Sequence, residues 1–153
     1  MSKNEVDLLK WPDPLPSSWR VVETEAPQGW EKSYSVTNNN LPAGAVHMSF
    51  VLSTPLATAY PAGVRDRLLE PAQGASAEAL QLVSEKVMKD DPACRRLVLA
   101  TTEGDVEAIA RGEAAGYRYV VDVDVPGRSL SLLVAEPDWV LEESRHLDDI
   151  PTE

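Results

Sequence analysis

The chain has 153 residues, 43% hydrophobic and 25% charged, ordinary values for one globular domain with a single core. Its formal net charge of −11 leaves no basic footprint for nucleic acid and disfavours anionic membrane surfaces, so neither partner is expected. No run approaches the roughly 20 apolar residues of a membrane helix, "MSKNEVDLLKWPDPLP" lacks the apolar core of a secretory signal, and a single cysteine, Cys94, excludes an internal disulfide; a cytoplasmic location is expected.

Residues 1–18, with Pro12, Pro14 and Pro16, read as an irregular N-terminal segment. "WRVVETEA" (19–26) reads as a strand, Pro27-Gln28-Gly29 as a turn, and "EKSYSVTN" as extended structure again. "NNNLPAG" is dense in turn residues and "AVHMSFVLS" (45–53) is a strong strand. Residues 54–63 form a connection and "VRDRLLE" a short strand. From Ser76 to Asp90 the pattern is helical, with Ala77, Leu80, Ser84, Val87 and Met88 near one face, Ser76 as N-cap and Pro92 beyond the end. "RRLVLATT" is a continuous apolar run typical of a buried strand with parallel neighbours. Asp105 caps a helix that carries Val106, Ile109 and Ala110 inward and stops at Gly116. "YRYVVDVDV" and "RSLSLLVAE" alternate around Pro126-Gly127, an antiparallel hairpin with Asp122 and Asp124 on its wet face.

The final "EPDWVLEESRHLDDIPTE" has seven acids against one arginine and reads as a solvated acidic tail, 137–153; docking through Trp139 and Leu141 is the alternative. The expected organisation is one domain over 19–136 of α/β (α+β) class: a mixed, mostly antiparallel sheet with helices packed on its faces.

Strand, glycine-containing turn, helix, strand, helix ending in Ala-Gly-Tyr, then hairpin resembles the core of the GNAT acyl-CoA N-acyltransferase superfamily over residues 71–136. The segment "GDVEAIARGEAAGYRYVVDVDVPGRSLSLLVAEPDWV" carries most of the likeness, and its hairpin is similar in style to acyltransferases of siderophore biosynthesis, as is Gly44-Ala45-Val46-His47 to their Gly-x-His strand. The resemblance implies transfer of an acyl group from acetyl-CoA or another acyl-CoA to a small-molecule or peptide amine, and allows a homodimer. The alternative is a catalytically degenerate GNAT-like module that binds a ligand or protein. An unrelated α+β interaction domain is the third reading.

The family's pyrophosphate turn, Gln/Arg-x-x-Gly-x-Gly/Ala, falls on Gln73-Gly74-Ala75-Ser76-Ala77-Glu78. Its backbone N–H groups and helix N-terminus would bind the phosphates. Ser76 stands where the motif has glycine, and Glu78, where a small residue is usual, would compete for the same positive end. An ordinary capped helix start is the other reading. The strand edge at Leu97–Thr101, with Leu99 and Thr101, would hold the thioester. The tyrosine that protonates the leaving thiolate should stand four residues before Gly116, where this chain has Gly112. The aspartate that assists siderophore-type members falls at Thr102, with Glu103 and Asp105 beside it. His47 is the candidate base, histidine being the natural proton acceptor from an amine near neutral pH; a structural histidine is the alternative. With only "PQGWEK" between the first two strands, the family's two N-terminal helices are shortened or absent, so the acceptor side is open, rebuilt from "LSTPLATAYPAG", or completed by another subunit. Trp11, Trp19 and Trp30 are read as covering the sheet edge, or else as lining an apolar cleft.

Arg65 and Arg67 precede the turn and face a phosphate or solvent. Cys94 beside Arg95 and Arg96 reads as an inert small residue rather than an activated thiol. His47 and His146 are too few for zinc, and no Ser-His-Asp, P-loop or Rossmann signature is present.

Overall fold

The computed structural model describes residues 12–136. Trp11, the tail 137–153 and its Trp139, Leu141 and His146 lie outside the described residues. Residues 12–18 form neither helix nor strand. Seven strands follow: β1 (Trp19–Thr24), β2 (Lys32–Asn38), β3 (Leu41–Phe50), β4 (Arg67–Pro71), β5 (Leu97–Thr102), β6 (Arg118–Val125) and β7 (Arg128–Ala135). They form one sheet in the order β1-β2-β3-β4-β5-β7-β6, antiparallel throughout except for the β4–β5 pair. Helix α1 (Ala77–Asp90) links β4 to β5, and α2 (Val106–Ala114) links β5 to β6. No helix separates β1 from β2. Among the described residues no helix is long and apolar enough to cross a membrane.

Local chemistry sets the boundaries. Asn39 and Asn40 both take positive φ (54° and 68°), the two-residue type I′ loop that matches hairpin twist. It starts β3 at Leu41, four residues before Ala45, and a bulge opposite Val36 and Thr37 leaves Ala43, next to Pro42, as the extra residue. Strand β3 ends at Phe50, and 3₁₀ turns Val51–Ser53 and Pro55–Thr58 replace the expected strand end. Ser76 caps α1, its Oγ accepting from the Ala79 N–H at 3.1 Å, and Asp105 caps α2 through the Ala108 N–H at 3.1 Å.

Both helices pack on the same sheet face. Leu80, Val83 and Val87 of α1 meet Tyr34, Val46, Leu69 and Leu97 there. Helix α2 contacts the same face through Gly112, where an added Cβ would sit 2.6 Å from Leu99 Cδ2 and 3.0 Å from Leu133 Cδ2. That close approach rolls α2 away from the expected orientation. Val106 is 76% exposed and Ala110 is exposed, while Ile109 is half-buried and Gly112 is the buried residue. The opposite face carries a second core of Leu68, Val98, Leu130, Leu132 and Val134. Here the proline-rich connection does the covering that a helix layer was expected to do. It buries Val51 and Leu56, about 1.5–3 kcal/mol each relative to exposure.

Candidate active site

The β4–β5 pair is closed at one end and open at the other. The Arg67 N–H donates to the Arg96 carbonyl at 3.1 Å, and pairing runs Arg67↔Leu97, Leu68↔Val98, Leu69↔Leu99. Donors on one edge of a strand recur every second residue, so the next after Leu69 is residue 71. Pro71 has no N–H and the ladder stops. Strand β5 keeps its pairing with β7 as far as Thr102↔Leu130, so beyond Leu99 its edge toward β4 has no strand partner. Two cavities meet at this gap. One, about 240 Å³, lies on the helical side against Gln73, Leu99, Thr101, Arg111 and Gly112. The other, about 260 Å³, opens on the far face between Trp30, Thr54, Leu56, Val125 and Leu130. Glu70, Ala100 and Arg128 line both.

The turn before α1 forms one lip of the helical-side cavity. The Ala75 N–H donates to the Ala72 carbonyl at 3.0 Å around Gly74, whose φ of +87° suits the third position of a type II turn. Strand β3 clamps both sides of the turn, Ala45 O accepting from the Ala72 N–H at 2.8 Å and Ala43 O from the Ser76 N–H at 3.3 Å. The clamp requires Gly44, with φ +135°, because a Cβ there would lie 2.6 Å from Ala75 Cα. Ala75 is therefore buried, and the Ala75 and Ser76 N–H groups are used within the fold. Among the described residues the N–H groups of Gly74, Ala77 and Glu78 donate to nothing. The Glu78 side chain is exposed and makes no hydrogen bond to the turn. Gln73 is exposed and faces the cavity. Thr101 lines it too, but its hydroxyl donates to the Ser131 carbonyl at 3.2 Å.

On the far face the β3–β4 register sets His47 opposite Glu70, so the two side chains share one side of the sheet. Ser33 Oγ lies 2.9 Å from His47 Nδ1, and the Trp30 ring stands 5.7 Å from the imidazole. Glu70 lines both cavities and His47 neither, so Glu70 is the titratable carboxylate at the gap that the sequence did not single out. Strand parity, Glu70 two residues beyond Leu68 and opposite His47, was the available signal. Trp30 lines the far cavity instead of only covering the sheet edge.

The other groups take structural roles. Arg67 is buried, pairs with Asp91 and stacks 4.1 Å over the Phe50 ring; Arg65 reaches the same carboxylate at 3.5 Å, and neither arginine lines either of the two cavities at the gap. Burial pushes the Asp91 carboxyl up, but the Arg67 hydrogen bond and charge outweigh it and hold the group below the ordinary carboxylate range. Cys94 is buried with Sγ 3.4 Å from the Arg96 carbonyl, and burial pushes its thiol up, away from a reactive thiolate. The Tyr117 hydroxyl lies 2.7 Å from Ser84 Oγ in the core, where burial raises its phenol. Asp122 and Asp124 accept from Ser131 and Ser129 across the hairpin, both at 2.7 Å. Among the described residues no cluster of three or more His, Cys, Asp or Glu is placed to hold a metal ion.

No family model and no curated protein matches the sequence. Solved structures do match. The Bacillus halodurans protein bh2621 superposes with TM-score 0.64 at 14% identity, over 80% of this chain and 68% of its own. The aminoglycoside acetyltransferase AAC(6')-Ib, solved with coenzyme A and kanamycin, superposes with TM-score 0.60 at 15% identity, over 74% and 70%. The ribosomal-protein α-N-acetyltransferase RimL, solved with coenzyme A, reaches TM-score 0.50 at 13% identity, over 72% and 64%. The chain has the GNAT acetyltransferase fold.

Two departures from the GNAT pattern now have physical reasons. The place that the resemblance gives to the acid tyrosine holds Gly112, where α2 lies close on Leu99 and Leu133 and an added Cβ would push their side-chain ends aside. Among the described residues the tyrosines Tyr34, Tyr60, Tyr117 and Tyr119 line neither cavity. The far side of this GNAT sheet is rebuilt from the 51–58 connection and the β6–β7 turn, which supply Ser53, Thr54, Leu56, Val125 and Pro126. Thr102 and Asp105 line the helical-side cavity, while Glu103 is exposed.

Proposed function

We propose that this chain transfers an acyl group from acetyl-CoA or another acyl-CoA to the amine of a small molecule or peptide. The observation that carries this reading is the gap beyond Leu69 and Leu99, where two cavities on opposite sides of the sheet meet at Glu70, Ala100 and Arg128. The pantetheine arm would run along the unpaired edge of β5 past Leu99 and Thr101. The pyrophosphate would lie over the Gln73–Ser76 turn, taking the N–H groups of Gly74, Ala77 and Glu78 and the positive end of α1, with Ala75 and Ser76 shaping the turn. Arg111 adds a cation to that side.

The amine would enter from the far cavity. At about 260 Å³ that cavity sits just below the roughly 300–1,000 Å³ of drug-sized sites, which suits a small acceptor or a single terminal amine. The amine nitrogen attacks the thioester carbonyl carbon, Glu70 takes the proton lost from nitrogen, and the C–S bond breaks with its electron pair on sulfur. His47, opposite Glu70 across the β3–β4 pair, is the second candidate proton acceptor.

Isothermal calorimetry with CoA and acetyl-CoA, followed by thiol-release assays against a panel of amines, tests this reading. Saturable micromolar binding supports it, and absence of heat at millimolar ligand removes it. A second reading, a GNAT-fold binding module without chemistry, is favoured by Gly112 and by the two turn N–H groups used within the fold. It expects CoA binding, if any, without thiol release on any amine.

A further inference from the structure

This inference rests on the acyl-CoA reading and concerns how the leaving sulfur is stabilised when no tyrosine stands at residue 112. The requirement is chemical. Breaking the C–S bond leaves an electron pair on sulfur, and a site must either protonate the thiolate or hold a positive charge against it. Gly112 has no side chain, so no proton donor stands at that position of α2, which lies close on the Leu99 and Leu133 side chains.

Only three residues border both cavities, and they differ in chemistry. Ala100, on β5, is small and leaves the passage open. Glu70, on β4, supplies the carboxylate. Arg128, the first residue of β7, supplies the cation. Its position follows from the hairpin: Val125 pairs with Arg128 across the two-residue Pro126-Gly127 turn, and Arg128 has the strand parity of Leu130 and Leu132, which face the far cavity side. Among the described residues Arg128 has no carboxylate within ion-pair distance, so its charge is not already neutralised. Arg111, the other cation at the gap, lines the helical-side cavity alone.

We infer that the guanidinium of Arg128 is a catalytic residue of this site, holding the departing CoA sulfur as a thiolate by charge and N–H donation in place of a protonating tyrosine. The acyl carbon passes from sulfur to nitrogen, Glu70 takes the amine proton and returns it to solvent after product release, and Arg128 retains its own proton throughout, as guanidinium does at any working pH. The thiolate takes a proton from solvent after release. Net, acyl thioester and amine become amide and free thiol.

The test uses the product, so no acceptor need be known. CoA is bound to the full chain and its thiol titrated by ultraviolet thiolate absorbance, alongside calorimetry of CoA on wild type, Arg128→Gln and Arg111→Gln. An opposite charge within about 4–6 Å favours an ionised group by roughly 1–3 pK units. The thiol of CoA bound to wild type should therefore titrate at least one unit below free CoA, a tenfold or larger shift. Arg128→Gln should abolish the shift while changing CoA affinity less than threefold, and Arg111→Gln should weaken CoA binding with the shift intact. An unshifted thiol in wild type overturns the inference while leaving the acyl-CoA reading standing. So does a shift that survives Arg128→Gln, or a tenfold affinity loss in that variant with unchanged titration, which would make Arg128 a phosphate ligand. Absence of CoA binding to folded wild type removes both. Circular dichroism of each variant separates misfolding from these outcomes, and Arg128→Lys, which keeps the charge, should retain most of the shift.

Discussion

The two ends of the β4–β5 pair teach the most about this molecule. At the closed end Arg67, Asp91 and Phe50 form a part-buried cluster in which the guanidinium pairs with the carboxylate and stacks on the ring. At the open end Pro71 withholds a donor, the strands separate, and the groups around the gap are left available: Glu70, Arg128 and the N–H of Gly74. The same two strands serve stability at one end and ligand access at the other. Substitutions should therefore separate by end, those at Arg67 or Asp91 lowering melting temperature and those at the gap lowering activity.

The largest effect is expected at Glu70. Glu70→Gln should lower kcat by about 10²–10⁴-fold, the usual contribution of a positioned base, with CoA affinity and melting temperature unchanged. Steady-state thiol release beside a thermal melt checks this, and a parallel drop in both would mean that the open end is structural as well.

Asp91→Asn addresses the closed end. Removing one partner of a buried pair costs about 3–5 kcal/mol. Asp91 keeps 18% of its side chain exposed, so the lower figure applies, which corresponds to roughly a 10 °C fall in Tm for a chain this size. The pH dependence has a definite sign. The folded-state carboxyl lies below its ordinary value of 3.8, so its stabilisation is present above that value and is lost as pH falls through the folded value. Wild type should lose this contribution in acid melts below about pH 4, and the Asn variant should lose nothing further from this site.

Gly44→Ala tests whether the clamp shapes the turn. The added Cβ meets Ala75 Cα at 2.6 Å on a backbone with φ +135°, a clash with main chain that costs about 2 kcal/mol or more. Stability should fall and CoA affinity with it, because β3 holds the turn through Ala43 and Ala45. Unchanged CoA affinity would detach the turn from the site.

How far the sequence disclosed this differs along the chain. The Ser76 cap, the Pro126-Gly127 hairpin and the buried strand at Leu97–Thr102 were legible because each has a local cause: a hydroxyl acceptor, a fixed φ, a continuous apolar run. Residues 39–53 were harder. Pro42 and Gly44 read as turn residues, but a bulge and the close approach to Ala75 place them inside β3. Val106 was expected inward from helical spacing alone, and the packing of Gly112 on Leu99 and Leu133 turns it out. Gln73, Leu99 and Thr101 do border the helical-side cavity. Gly74, Ala75 and Ser76 build the turn without lining that cavity, and His47 lies on the far face of the sheet and lines neither cavity. Glu70 and Arg128 were missed because their meaning depends on the β3–β4 register and on where the β6–β7 turn lies, neither of which leaves a local mark.

The smallest effect on stability, and the sharpest on the comparison, is expected from Pro71→Val. It restores an N–H facing the Ala100 carbonyl, and the hydrogen bond gained, about 0.5–1.5 kcal/mol, offsets the loss of proline's stiffness, about 0.4–1 kcal/mol. Melting temperature should barely move, while CoA affinity falls several-fold as the gap narrows. A variant with full affinity would show that the gap does not depend on the missing donor.

The central claim is that the open end of the β4–β5 pair receives an acyl-CoA. A residue-resolved NMR titration of the full chain with CoA tests it most directly, by following backbone amides. The account expects saturable shifts concentrated at Gly74, Ala77, Glu78 and Ala100–Thr102, with the Arg67–Asp91 end unmoved. Shifts centred elsewhere, or none at millimolar CoA, would contradict it.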